Sequence, residues 1–237
     1  MLNFIVHKNV YVTFAKVQFF ILATIFQAVK FFLDEEWRNK YALIAILIYI
    51  FTAVLITFLA LPGMDKPHFS AIFWIVVIFT TLQGISKAFI SMKKGHYIFW
   101  HQLLSPSQFL IGKLITSFVL MFLFTSFALL IFIMIHGQIS DSIFGFYIIA
   151  LLTGGGIASI FTISSSIASK TDNPGVLLPV LTFPLIIPFV LIGVKAGKNA
   201  IDDLGFLSYL PELLLLSGFN VLVFIMGVSL IKFIWKD

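Results

Sequence analysis

The sequence predicts an all-α integral membrane protein, with six transmembrane helices and an N-terminal amphipathic helix lying at the membrane interface. Three observations predict it. Apolar runs of about 18 residues or more recur along the whole chain, each long enough for one helical crossing. The 237 residues are 60% hydrophobic and only 11% charged, with a mean hydropathy of +1.10, whereas a soluble domain carries about 25% charged residues. The polar residues gather in short connections such as PGMDKPH, HGQISD and SKTDNPG. The longest connections are too short to hold a further extramembrane domain.

Residues 1–40 form the first region. On a helical wheel of about 100° per residue, Asn9, Lys16, Ala23, Gln27, Lys30, Asp34 and Arg38 share one narrow face. Phe19, Ile21, Leu22, Ile25, Phe26, Val29 and Phe32 fill much of the rest. A stripe of this kind suits a helix in the interface plane, apolar side down, rather than a seventh span. Spanning would also bring Lys16 into hydrocarbon.

The six-helix membrane domain occupies residues 41–237. Each crossing needs about 20 apolar residues for roughly 30 Å of hydrocarbon, which places spans at Tyr41–Leu61, Phe69–Ile90, Gly112–Ile135, Ile143–Ala168, Gly175–Val194 and Leu213–Trp235. Gln83 and Ser86 in the second span and Asn220 in the sixth are read as hydrogen-bonding glue between helices. The loop after the second span, SMKKGHYIFWHQLLSPSQFLIGK, begins with Lys93 and Lys94. A helix-capable stretch with Tyr97, Phe99, Trp100, Leu103 and Leu104 follows, and Ser105-Pro106 restarts the chain. Two readings stay open there: a short helix presenting aromatics to a partner protein, or an aromatic belt at the headgroups. His96 and His101, five residues apart, point about 140° from each other on a helix and are read as interfacial rather than as metal or haem ligands. His68 and His136 fall at the opposite membrane face.

The fourth span contains TGGGIASIFTISSSIAS. Gly154, Gly155 and Gly156, with Ala158 and Ser159, form small-xxx-small faces that let helix backbones approach closely, within one subunit or across an interface. The fifth span reads PGVLLPVLTFPLIIPFVLIGV, with Pro179, Pro184 and Pro188 inside it. Proline in a helix removes a hydrogen bond and crowds the preceding turn, at about 3 kcal/mol. Such a segment is expected to be bent and to be enclosed by protein or to line a cavity, where the freed carbonyls find other partners.

Lysine and arginine set the orientation. Twelve of the fifteen fall in the N-terminal region, the loop after the second span, the connection after the fourth and the C-terminal end; only Lys66, Lys195 and Lys198 lie opposite. Both termini are therefore expected in the cytoplasm, and the charge of +5 does not point to nucleic acid. The six spans contain no Asp or Glu, which disfavours a proton-relay carrier. No G-x-x-x-x-G-K-[ST] phosphate loop is present, so the chain is not expected to be an enzyme; any ATP would act on a separate subunit. With no cysteine, disulfides and thiolate metal sites are excluded, and no metal site is predicted.

Three stretches together resemble one family. K-G-x-Y-x-x-W/Y-x-x-L-x-S-P is met by Lys94, Gly95, Tyr97, Trp100, Leu103, Ser105 and Pro106, with Lys113 beyond; G-V-L-L-P-x-L-x-x-P-L-x-x-P runs from Gly175 to Pro188; and E-W-R-x-K-Y-A runs from Glu36 to Ala42. They resemble the CcmB family, the membrane subunit of the haem-exporter ABC complex of cytochrome c maturation, over roughly residues 30–237. The resemblance implies an ABC-2-type permease in a bacterial inner membrane, working with a cytoplasmic ABC ATPase and forming a homodimer or pairing with a second permease. It places an ATPase coupling helix at Lys93–Leu104 and an elbow helix before the first span. It implies as further partners a haem-handling membrane subunit and a haem chaperone, with haem as the transported or handled ligand. The N-terminal extension is longer than the family pattern, and no residue is identified as a haem ligand. Alternative functions are an ABC-2 exporter of lipid, glycan or drug, and a non-transporting assembly scaffold.

Overall fold

The computed structural model describes residues 23–86, 89, 103–137 and 142–234. Among them the fold is all-helical. Helix α1 covers 23–38, followed after a turn at Asn39 by α2 (Lys40–Ala60), α3 (Lys66–Ile85), α4 (Pro106–His136), α5 (Ile143–Ala168), α6 (Pro174–Ile201) and α7 (Phe206–Ile234). Helices α2 to α7 are each long and apolar enough to cross a membrane, and the chain is a multi-pass membrane protein.

Local chemistry sets where the helices start and stop. Asp65 caps α3 by accepting from the His68 N–H, with Pro67 in the first turn. Its carboxyl lies below the usual aspartate range, chiefly because the His68 side chain also bonds it. Ser105 and Gln108 form a reciprocal capping box at the start of α4, with Pro106 following the cap. Gly137, at φ +82, ends that helix, a backbone region that glycine enters without steric cost. The observed helix ends correct the expected span limits. Helix α4 begins six residues before Gly112, α6 continues seven beyond Val194, and α7 begins seven before Leu213. Apolar length measures the hydrocarbon, whereas capping residues decide where the helix ends. One consequence is that Glu212, expected at a membrane edge, lies inside α7, where it pairs with Lys195 of α6 at 2.8 Å.

Helix α5 is the centre of the bundle, packed against α3, α4, α6 and α7, while α2 packs on α3 and α4. The main core runs through α2 to α7, with Phe69, Phe73, Phe132 and Phe146 in mutual ring contact. A second, smaller core lies apart from it and unites Ala28, Phe32, Phe89, Leu104, Phe109, Leu110, Leu114 and Ile231. Large apolar side chains such as Ile56, Leu191 and Leu214 remain exposed, as expected of helices whose outward faces meet lipid.

At one end of the bundle Asp203, in the turn 202–205, meets the start of α3 and the start of α5. Its carboxylate accepts from Lys66 Nζ at 3.2 Å and from the Ser142 N–H at 3.0 Å, so one side chain ties the turn between α6 and α7 to α3 and to the start of α5. Asp203 itself sits at φ +56, a left-handed position that Asp tolerates better than most residues. The opposite end holds the smaller core.

Candidate functional site

Of the residues predicted to contact an ATPase, Lys93, Lys94, Gly95, Tyr97 and Trp100 lie outside the described residues, as do His96 and His101. Leu103, Leu104, Ser105 and Pro106 are described. Leu103 is exposed, Leu104 is buried in the smaller core, and Ser105-Pro106 opens α4. The returning leg of the loop is therefore anchored by one leucine and one cap, with its neighbouring leucine turned outward.

The smaller core also explains how α1 is held. Phe32 is fully buried, edge-on to Phe109 at 5.2 Å between ring centroids, and it fills the space left by Gly112, where a Cβ would stand 3.0 Å from its ring. Sequence periodicity had assigned Phe32 to the lipid side of the interfacial helix; here it packs on protein, while Phe26 and Trp37 are exposed. Beside Phe32, the Lys113 ammonium sits 4.3 Å from the ring centroid and 3.8 Å from Glu35 Oε2. Burial pushes the neighbouring Glu36 carboxyl above its usual range, and Lys113 opposes that shift. A buried lysine between an aromatic face and two glutamates is a contact set the sequence did not announce, because α1 and α4 are distant in the chain. The signal available was a lysine seven residues into an otherwise apolar helix.

The Phe89 N–H donates to Ser165 Oγ at 3.0 Å, which ties the chain beyond α3 to the end of α5. The smaller core thus joins α1, Phe89 beyond α3, the returning leg of the loop, the first turns of α4 and the last turn of α7.

The three glycines of α5 are buried and face different neighbours. At Gly156 a Cβ would overlap the Phe189 ring of α6, and at Gly155 the Phe118 ring of α4; at Gly154 it would meet Met121 Cε at 2.9 Å. The close approach is reciprocated on α6, where a Cβ at Gly193 would lie 2.5 Å from Thr153 Oγ1 of α5. Within this chain the small faces are occupied by its own helices, as tight intrasubunit packing requires.

The proline-bearing helix α6 is continuous from Pro174 to Ile201 and stands against α3, α5 and α7. Pro184 is exposed, and Pro179 and Pro188 are half-buried. Pro184 and Pro188, one turn apart, line a cleft of about 250 Å³ between α5, α6 and α7, walled by Phe189, Phe219, Met226 and other apolar residues, with Ser164 contributing a hydroxyl. Of the two settings expected for the prolines, the cleft describes Pro184 and Pro188. The prolines release the carbonyls of Gly175, Val180 and Pro184. The Thr182 hydroxyl instead bonds the Leu178 carbonyl at 2.7 Å, so it satisfies none of the three.

His68 is engaged by Asp65, and His136 lies between the rings of Phe58 and Phe132. Asn220 of α7 donates to the Leu152 carbonyl of α5 at 3.0 Å, an interhelical bond of the kind predicted for it. The sequence matches no family model and no curated protein.

Proposed function

We propose that this chain is the membrane subunit of an ATP-driven complex, with the segment Lys93–Pro106 as its contact to a separate cytoplasmic ABC ATPase. The observation that carries the reading is the smaller core, in which the returning leg of that segment, through Leu104, shares one packed cluster with α1, α4 and α7. A push on the loop therefore reaches three helices directly, and the Phe89–Ser165 bond extends the connection to α5. The resemblance to the CcmB family supplies the cellular setting, a bacterial inner membrane and a homodimer or a pair with a second permease, and the lysine and arginine distribution puts both termini in the cytoplasm. In that setting haem is the ligand exported, or handled when its chaperone is released from a haem-handling membrane subunit.

Co-purification with the ATPase, together with holocytochrome c formation, tests this. The double variant Trp100→Ala/Leu104→Ala, which truncates two large apolar side chains of the segment, is expected to lower ATPase recovery and cytochrome c yield together, by about tenfold or more. Undiminished complex and undiminished cytochromes would sink the reading. A deletion strain with normal c-type cytochromes would transfer the same architecture to an exporter of another substrate.

A further inference from the structure

The cleft of about 250 Å³ between α5, α6 and α7 has a depth and a shape that point to an occupant. Its lining runs from Ile160 to Ile167 on α5, from Leu181 to Phe189 on α6 and from Phe219 to Leu230 on α7. Counting about 1.5 Å per residue from the end of each helix at the smaller core, these stretches lie about 2–12 Å, 10–22 Å and 6–22 Å deep. Helices α6 and α7 have 28 and 29 residues. At about 42–44 Å long, they stand about 6 Å beyond each side of a hydrocarbon layer of roughly 30 Å. The cleft therefore occupies one leaflet and stops near the bilayer midplane. There the rings of Phe189 and Phe219, edge-on at 5.8 Å between centroids, form its inner end.

The walls are hydrocarbon apart from Ser164, so water finds too few partners there. Leu185, Leu222 and Met226 line the cleft and are each about half exposed, which opens it sideways to lipid. Lipid tails are as apolar as leucine, so no hydrophobic effect favours one apolar surface over another. Packing does: a tail on an open helix face meets one wall, whereas a tail in the cleft meets three helices and gains dispersion contacts from each. Past the outer end of the cleft, the turn 169–173 joins α5 to α6 and carries exposed Lys170 and Asp172. A zwitterionic headgroup, with one phosphate and one ammonium, complements that pair of charges.

We propose that the cleft is a binding site for one phospholipid of that leaflet, its acyl chain packed along Pro184 and Pro188 and its head at the 169–173 turn. A helix from a second copy of the chain is the rival occupant, because Phe219 and Leu222 also border a shallower surface that continues along α7 to Pro211. The depth favours the lipid. A spanning helix is about 10–12 Å across with its side chains and runs through both leaflets, whereas an acyl chain belongs to one leaflet, as the cleft does.

The test is photolabelling in vesicles of phosphatidylethanolamine and phosphatidylglycerol, with a trace of phosphatidylethanolamine bearing a diazirine on its acyl chain. Adducts are mapped by mass spectrometry. Leu222 and Met226 line the cleft, and Ile48 and Phe51 of α2 are similarly exposed; all four lie about 12–18 Å from the smaller-core ends of their helices. Lipid adducts at the first pair are expected to exceed those at the second by at least ~10-fold. Val223→Trp, which fills the cleft, is expected to abolish the excess, and Val221→Trp, on the opposite side of α7, to preserve it. Equal labelling of the four residues, or an excess that Val223→Trp leaves unchanged, overturns the proposal. So does oxidative dimerisation of Met226→Cys in a chain otherwise without cysteine, which puts a second copy in the cleft. Should the tryptophan variants not assemble, labelling of the unaltered chain decides. None of these measurements needs ATP or an ATPase, so failure here leaves the reading of the loop segment standing, and the reverse holds as well.

Discussion

The two cores of this protein are built from different chemistry. The main core, centred on α5, is closed by shape: glycines on one helix receive rings and side chains from the next, and Phe118, Phe189 and Thr153 each stand where a Cβ would otherwise be. The smaller core uses that device once, Phe32 over Gly112, and adds a charge, the Lys113 ammonium held between Phe32 and Glu35. Close packing tolerates almost no change of volume. A charge at 3.8 Å from its partner tolerates displacement, because Coulomb attraction falls slowly with distance while a steric fit is lost within an ångström. The difference assigns the rigid role to α5 and the adjustable one to α1 and the loop leg.

The largest effect should come from breaking the main core. Gly156→Ala places a methyl in the Phe189 ring, which is itself buried, and is expected to cost more than ~3 kcal/mol or to prevent assembly. Gly155→Ala meets Phe118, a partly exposed side chain that can swing outward, and should cost less. Thermal melting of the detergent-solubilised chain ranks the two; equal losses would mean that α5 is not held as described.

Next comes the smaller core. Lys113→Met leaves Glu35 and Glu36 without their cation and should loosen α1 by roughly 1–3 kcal/mol, below the value for a fully buried pair because Glu35 is part-exposed. A cysteine pair reads this directly, since the Ala28 Cβ lies 3.5 Å from the Cβ position at Gly112, a disulfide geometry. Cross-linking of Ala28→Cys/Gly112→Cys should fall with Lys113→Met and recover with Lys113→Met/Glu35→Leu. An unchanged yield would make the charge incidental.

The smallest expected effect on stability lies outside both cores. Pro184→Ala removes a ring from an exposed position of α6 and allows one more backbone bond, so the melting temperature should stay level or rise slightly. If Pro184 serves the proposed turnover, its loss should instead lower cytochrome c yield. A strong destabilisation would show that Pro184 is packed against something, contrary to its exposure.

Much of the fold was legible because membrane physics leaves few options: an apolar run of spanning length must be a helix, and the described residues hold six such helices. The ends were less legible. Lys195, Lys198 and Glu212 read as connection residues because they are charged, yet each sits in a helix, since α6 and α7 extend past the apolar stretch until Asp202–Gly205 turns the chain. At the candidate site, Leu104 and Leu103 looked alike in sequence, and only packing separated the buried one from the exposed one. Phe32 went to the protein instead of lipid for the same reason. An apolar face declares that it avoids water, not which apolar surface it meets.

By itself the sequence determined that the chain lives in a membrane, how many times its helices are long enough to cross, and where glycine and proline interrupt the pattern. These follow from transfer free energies and backbone geometry, which act residue by residue and need no neighbour. Only the tertiary structure decided that α5 is central, that Asp203 meets both Lys66 and the Ser142 N–H, and that Lys113 meets Glu35. Those facts depend on which helix faces which, and in lipid that choice is made by shape and a few polar contacts between residues far apart in sequence.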